Sequence, residues 1–476
     1  MKLRPLFLWT ATALLLFGAT WLVPLNQDEG WYLLAARRVS QGRLPYIDFT
    51  YTQGPVLPFV YALATPLVQA GGLLGGRLVQ VLLSLATLAV LRRNLDRRDF
   101  PLAVALFCVP FHLQFSLTVK TYALAGLFLS LGAHFWFKQT TRSLMLSALF
   151  LALAAGTRIS LLIFFPPLFV SLLSRPGERP PKSLAAFTLS AAGSLLLLYG
   201  PFLAMNAETV FFQLVNFHAA RTPGPALIFR AGTLLRWIQA WLPALLLCLA
   251  LRRPRFTCAD RAVFLGLLGA GVLHLFTPFP YEEYQTPLYP LLLMWLFRQP
   301  DMETLRPHFP RIILAVLLFS LSSPRLHHWI PVHSDRLWHH PHGETDMRQL
   351  RRAGRELKKH LPANALLFTP DSYLAVETGL EVPAGLEMGP FSFSPAGNHP
   401  ELLNLAQIKE LLSISDAVAF SPYLFVSSPE VEPMQAGHIL ELREFIDARF
   451  TTVWREASFG QGRTELQVGV RIAGEN

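Results

Sequence analysis

"PLFLWTATALLLFGATWLVPLNQDEGWYLLAARRVSQGRLPYIDF", residues 5–49, decides the fold. Its first part, Pro5 to Pro24, carries no charge and is long enough to cross hydrocarbon as a helix, which takes roughly 20 residues. No small-residue cleavage site follows it, and the chain continues straight into the adjacent acids Asp28 and Glu29. A retained first transmembrane helix is expected rather than a cleaved signal peptide.

The same texture recurs through residue 323. Apolar residues make up 52% of the chain and charged ones 15%, and the charges sit in short clusters between apolar runs. Runs near 5–24, 72–91, 100–117, 121–137, 143–156, 159–173, 183–204, 233–251, 262–277, 286–297 and 310–323 predict about eleven spans. The net charge of +10 does not indicate nucleic acid, because the Arg and Lys residues lie mostly in those short loops. Leaving out the Pro-rich run 55–70 as a juxtamembrane or re-entrant segment puts "RRNLDRR" (92–98), "KQTTR" (138–142) and "RPGERPPK" (175–182) on the side of Lys2 and Arg4. "RRPRFTCADR" (252–261) and "RQPDMETLRPHFPR" (298–311) join them. By the positive-inside rule that side is the cytoplasm. The stretch 25–71, the turn around Arg158, 205–232, 278–285 and a hydrophilic tail from 324 then lie outside.

The tail alternates helical and extended patterns. "DMRQLRRAGRELKKHLP" (346–362) predicts an amphipathic helix and "ALLFTPDS" (365–372) a strand with a turn. Helix-then-strand follows in 401–420 and again in 440–456, and 464–472 closes as a strand. The expected organisation is a transmembrane domain, 1–323, and a small extracytoplasmic α/β domain, 324–476. There is no Gly-rich phosphate loop and no internal repeat. Cys108, Cys248 and Cys258 are the only cysteines, which excludes a disulfide framework.

Within residues 25–71 the pattern Asn26-x-x-Glu29 resembles a capping box that starts a helix from about Gln27 to Gln41, ended by Gly42 and Pro45. Trp31, Leu34, Ala35 and Val39 recur at helical spacing, as for a face resting on the bilayer with Arg37 and Arg38 near headgroups. That assignment uses Glu29 as a cap and leaves Asp28 without a structural duty beyond the helix dipole. Asp48 reads first as a turn residue.

A first transmembrane helix, an acid pair, Tyr32 and Ala35, Gly42, Pro45-Tyr46, Asp48 and then "TQGPVLPFVYAL" together resemble the first extracytoplasmic loop of the GT-C glycosyltransferases. That class contains the protein O-mannosyltransferases and the lipid A aminoarabinose transferase. The resemblance implies a polytopic α-helical membrane protein with a GT-C-like fold in the inner (cytoplasmic) membrane. Its activity would be hexosyl or pentosyl transfer from a polyprenyl-phosphate-linked donor to a lipid, glycan or protein acceptor at the outer face, with inversion. Membrane lipids are the other expected partners, and nucleic acid is not one.

The chemistry needs a base for the acceptor hydroxyl and a cation for the departing phosphate. The resemblance maps the loop acid onto Asp28, with Glu29 and Asp48 as second choices. It maps a phosphate-binding cation onto Arg158, with Lys120 and Arg221 as alternatives. His218, in "NFHAARTPGP" (216–225), borders the expected cavity, and Tyr281, Glu283 and Tyr284, in "FPYEEYQTPLYP" (279–290), line it. Here Gln53, Glu282 and Glu283 stand where relatives carry basic residues.

No cofactor is demanded, no residue is assigned as a metal ligand, and a divalent metal ion is left open. His327, His328, His333, His339, His340 and His342 have no spacing that makes a closed zinc site. The alternative to a transferase is a transporter or lipid flippase of a glycolipid pathway, disfavoured by the missing repeats. A membrane scaffold with an outer interaction domain is the third possibility.

Overall fold

A computed structural model describes residues 5–174, 180–219, 227–251, 254, 256–323, 325–326, 344–421 and 434–472. The apolar runs become helices because a bilayer leaves the backbone no partner but itself. They are α1 (Pro5–Ala19), α5 (Leu73–Asn94), α6 (Phe100–Phe107), α7 (Pro110–Leu117), α8 (Thr121–Trp136), α9 (Thr141–Thr157) and α10 (Phe165–Leu173). Before α5 lie α2 (Asp28–Ser40), α3 (Val56–Ala62) and α4 (Thr65–Gly71), and after α10 come α11 (Pro180–Phe211), α12 (Leu227–Ala250), α13 (Cys258–Leu275), α14 (Tyr289–Phe297) and α15 (Phe309–Leu321).

The chain is a multi-pass membrane protein. Among the described residues five helical stretches are long and apolar enough to cross a bilayer: Leu73–Asn94, Lys182–Ala219, Leu227–Ala250, Cys258–Leu275 and Met302–Leu321. A sixth is the pair α6 and α7, bent by 72° where Pro110 opens the second helix. Length therefore supports five or six of the eleven expected spans. The other runs form shorter helices, as in α9 and α10. α11 continues past residue 205 through a break at Asn206 and a turn of π-helix to Ala219, so the expected outer loop 205–232 is partly helical. The membrane core gathers Leu88, Phe107, Trp136, Leu151, Phe164 and Trp295.

The C-terminal part follows the predicted alternation: α16 (Asp346–His360), β1 (Leu367–Phe368), α17 (Ser372–Thr378), α18 (Leu405–Ile414), β2 (Ala417–Phe420), α19 (Ala436–Arg449), β3 (Phe450–Phe459) and β4 (Thr464–Arg471). The sheet order is β1-β2-β4-β3, with β1 and β2 parallel and the other pairs antiparallel. Only two residues of 365–372 are strand, because Pro370 cannot continue the ladder and Asp371 precedes α17.

One expectation for α2 is overturned. Its apolar face does not rest on lipid: Trp31, Leu34 and Ala35 are buried in a cluster with Met347, Leu350, Tyr373 and Leu374 of the C-terminal part. Arg37 and Arg38 reach protein rather than headgroups. Arg37 donates to Leu380 O at 2.9 Å, and Arg38 pairs with Glu387 at 2.9 Å and Glu381 at 3.2 Å. At Gly30 the backbones of α2 and α17 nearly touch, since a Cβ there would stand 2.0 Å from Tyr373 N.

Candidate active site

The acid pair starts α2, and helical geometry turns successive side chains by about 100°. Glu29 reaches back to the Asn26 amide at 3.1 Å, as the capping pattern requires, while Asn26 Oδ1 accepts from Asp28 N at 3.1 Å. Capping is the smaller part of its work. The Glu29 carboxylate is fully buried and takes a forked pair of bonds from Arg77 of α5, at 2.6 and 2.8 Å, plus the Val119 amide at 3.1 Å. Arg77 spends its remaining donors on the carbonyls of Thr20, Val23 and Pro24. Every group of this buried pair is satisfied, the condition under which such a pair is stable in a low dielectric.

Asp28 faces the other way and is partly exposed. Its Oδ2 lies 2.8 Å from Lys120 Nζ, and the same ammonium lies 2.9 Å from Glu283 Oε1. Lys120 is held at the extended residue before α8, where Gln80 of α5 donates to its carbonyl at 3.1 Å. One lysine thus joins the first loop to the 310 segment Glu282–Leu288, with Glu283 lying 163 residues after Lys120 in sequence.

Arg158 ends α9 in extended conformation and is buried. It is placed by a close approach. A Cβ on Gly54 would stand 2.1 Å from Gly156 O, so only glycine lets "TQGP" lie on the end of α9. The guanidinium stacks over Tyr284 at 4.3 Å and Tyr122 at 5.2 Å. Among the described residues no carboxylate pairs with Arg158, and its Nε has no hydrogen-bond acceptor. Two buried cations therefore lie against the Tyr122 ring, at 5.8 and 5.2 Å, Lys120 neutralised by two carboxylates and Arg158, among the described residues, by none. Tyr32 stands beside Asp28. Burial first, and then the charge of Asp28, push its ionisation well up, so it presents a neutral hydroxyl.

The structure thus brings together Asp28, Lys120, Arg158, Glu283 and Tyr284 of the predicted residues, with Tyr281 against Tyr284 at 5.5 Å between ring centres. Glu29 lies behind the cluster, fastening it. Asp48 is exposed and closes a turn, accepting from Leu44 N at 2.7 Å. His218 Nε2 lies 2.7 Å from Thr52 O, and Arg221 falls outside the described residues, as do all six histidines of 327–342. Among the described residues no three His, Cys, Asp or Glu side chains are placed to hold a metal ion.

Two groups escaped the sequence reading. Arg77 was legible as a lone charge at the head of an apolar helix. His274, inside α13, bonds Ser160 Oγ at 2.8 Å and packs 5.3 Å from the Tyr284 ring. A buried histidine in a membrane helix was the available signal.

No family model matches the sequence, and no curated protein matches it. Solved structures do. ArnT from Cupriavidus metallidurans, both bound to undecaprenyl phosphate and in the apo state, superposes with a TM-score of 0.66 at 13% identity, covering 98% of this chain and 98% of that one. The Archaeoglobus fulgidus oligosaccharyltransferase gives a TM-score of 0.45 at 10% identity over 97% of this chain and 72% of its own. At 13% identity the likeness to ArnT is one of fold.

Proposed function

We propose that this protein is a glycosyltransferase that moves a sugar from a polyprenyl-phosphate donor to an acceptor hydroxyl. The observation that carries the proposal is the grouping around Tyr122 of a carboxylate anchored through Lys120 and a buried arginine that has no carboxylate partner among the described residues. The ArnT-like fold supports a polyprenyl phosphate as ligand, since that relative was solved with undecaprenyl phosphate bound.

Lys120 donates to Asp28 Oδ2 and leaves Oδ1 for the acceptor. The acceptor hydroxyl gives its proton to Asp28 as its oxygen bonds the anomeric carbon. The bond from that carbon to the phosphate oxygen breaks, with inversion, and the electron pair leaves with the polyprenyl phosphate. Arg158 stabilises the charge that develops there, a preorganised cation acting where water is largely excluded. Glu283, on the far side of Lys120, orients the ammonium, and Tyr32 and Tyr284 border the sugar. In this scheme the first loop and the C-terminal domain lie outside the cytoplasmic membrane, an orientation supported by the distribution of loop charges.

The test is transfer in lipid nanodiscs from a panel of polyprenyl-phosphate-linked hexoses and pentoses. Asp28→Asn is expected to abolish transfer while expression and melting temperature stay at wild-type level. Full activity in that variant sinks the assignment. Net flux of the glycolipid in proteoliposomes without transfer would support the transporter alternative instead.

A further inference from the structure

Beside Tyr122, among the packed helices, lies a small pocket into which several polar side chains converge. Ser84 of α5, His112 of α7 and Thr286 of the 310 segment line it together with Tyr122. These three polar side chains are 1%, 2% and 1% exposed, and Ser84 Oγ, His112 Nδ1 and Thr286 Oγ1 each lack a hydrogen-bond partner. Ser84 belongs to a buried polar stripe on α5, Arg77, Gln80, Ser84 and Thr87, spaced along one face and starting at the ion pair with Glu29.

The His112 tautomer follows from its neighbour. Ser116 Oγ lies 2.8 Å from His112 O and gives it its single proton. In the contact at 3.0 Å between Ser116 Oγ and His112 Nε2, the ring nitrogen is then the donor. A neutral imidazole protonated at Nε2 leaves Nδ1 an acceptor without a partner, on a residue that lines the pocket. Two hydroxyls and one acceptor, from three separate elements, thus surround a space of about 10 Å³, room for one oxygen.

We propose that this pocket is a binding site for a single hydroxyl-type oxygen, either a water molecule or a hydroxyl of the transferred sugar. The ligand donates one proton to His112 Nδ1 and shares hydrogen bonds with Ser84 and Thr286. It ties the segment that carries Glu283 and Tyr284 to α5 and α7. The sugar as source rests on the proposed transferase activity; the water does not.

The test is a map of the full chain in lipid nanodiscs at a resolution that shows ordered water elsewhere, without and with a polyprenyl-phosphate sugar. Density within about 2.6–3.2 Å of all three atoms without donor identifies water, and density only with donor identifies the sugar. No density in either map overturns the proposal. Thr286→Val keeps the shape and removes the hydroxyl, whereas Thr286→Ser keeps the hydroxyl. Loss of one such bond is expected to slow turnover or raise the donor KM by about 3- to 10-fold in the valine variant only, with Kd for bare undecaprenyl phosphate unchanged. A valine variant with wild-type density and kinetics also overturns it, whatever becomes of Asp28→Asn.

Discussion

Replacing Arg158 by Gln tests the phosphate assignment with a loss whose size follows from the surroundings. Arg158 is 9% exposed, and its guanidinium faces aromatic rings rather than a carboxylate of the described residues. Its charge is therefore not already spent within the protein, in contrast to Lys120, which sits between Asp28 and Glu283 at 2.8 and 2.9 Å. A charge-assisted hydrogen bond to phosphate contributes about 1.5–3 kcal/mol, so losing one weakens binding by about 10- to 150-fold. Stability should change little, because no ion pair is broken. The measurement is titration of the nanodisc-embedded protein with undecaprenyl phosphate, read by tryptophan fluorescence, beside a thermal melt. Arg158→Lys should recover part of the affinity, since it restores charge without the planar fork. A Kd for Arg158→Gln within about twofold of wild type, at unchanged melting temperature, refutes the assignment.

Three further outcomes follow from the supporting contacts. Arg77→Met leaves the Glu29 carboxylate buried without its partner and is expected to cost about 3–5 kcal/mol, seen as a lower melting temperature. Adding Glu29→Gln should return part of that stability. Gly30→Ala sets a methyl against Tyr373 N and Ser372 C, at 2.0 and 2.2 Å from the ideal Cβ position. It should cost about 1–3 kcal/mol and lower kcat, while Gly18→Ala, which meets nothing within 4 Å, serves as the neutral control. Asp371, buried in the C-terminal domain, has its carboxyl pushed up by burial from 3.8 to about 6. Its neutral form is the one the fold prefers, so it destabilises the fold above about pH 6, and that penalty disappears as pH falls towards 4. Asp371→Asn should therefore raise the melting temperature at pH 7.5, by up to about 3 kcal/mol of stability, and the gain should vanish near pH 4. An equal gain at both pH values contradicts the account.

The membrane class and the C-terminal alternation were legible because each rests on local pattern, a long apolar run or a period of two against 3.6. Elimination singled out Asp28 only as the acid left without a capping duty, once Asn26 and Glu29 had a role in starting α2, and the role proposed for it came from the resemblance. What periodicity cannot say is what covers an apolar face. The stripe Trp31, Leu34, Ala35 satisfies a bilayer and a protein domain equally, and the domain that covers it is more than three hundred residues away in the chain. Lys120 shows the same limit. In sequence it is one more cation at the mouth of a span, and only the fold puts it within reach of Asp28 and Glu283. Arg37 and Arg38 were misplaced for a related reason, because headgroup phosphate and protein carboxylate are interchangeable partners until the chain has been folded.

Three successive residues at the start of α2 face three different bodies. Asp28 turns to Lys120, Glu29 to Arg77 on α5, and Gly30 to the backbone of α17. With about 100° between neighbours, a helix can do this with no intervening residue. A carboxylate placed this way inherits its position from both parts of the molecule. The ion pair ties it to the membrane helices, and the glycine contact, with Arg38 and Glu387 about two turns further on, ties it to the C-terminal part. The two acids that look redundant in "NQDEG" are therefore not interchangeable. Moving the carboxylate one position along the helix takes it from Lys120 to a buried salt bridge, and the same step brings the only residue small enough for the domain contact out of place.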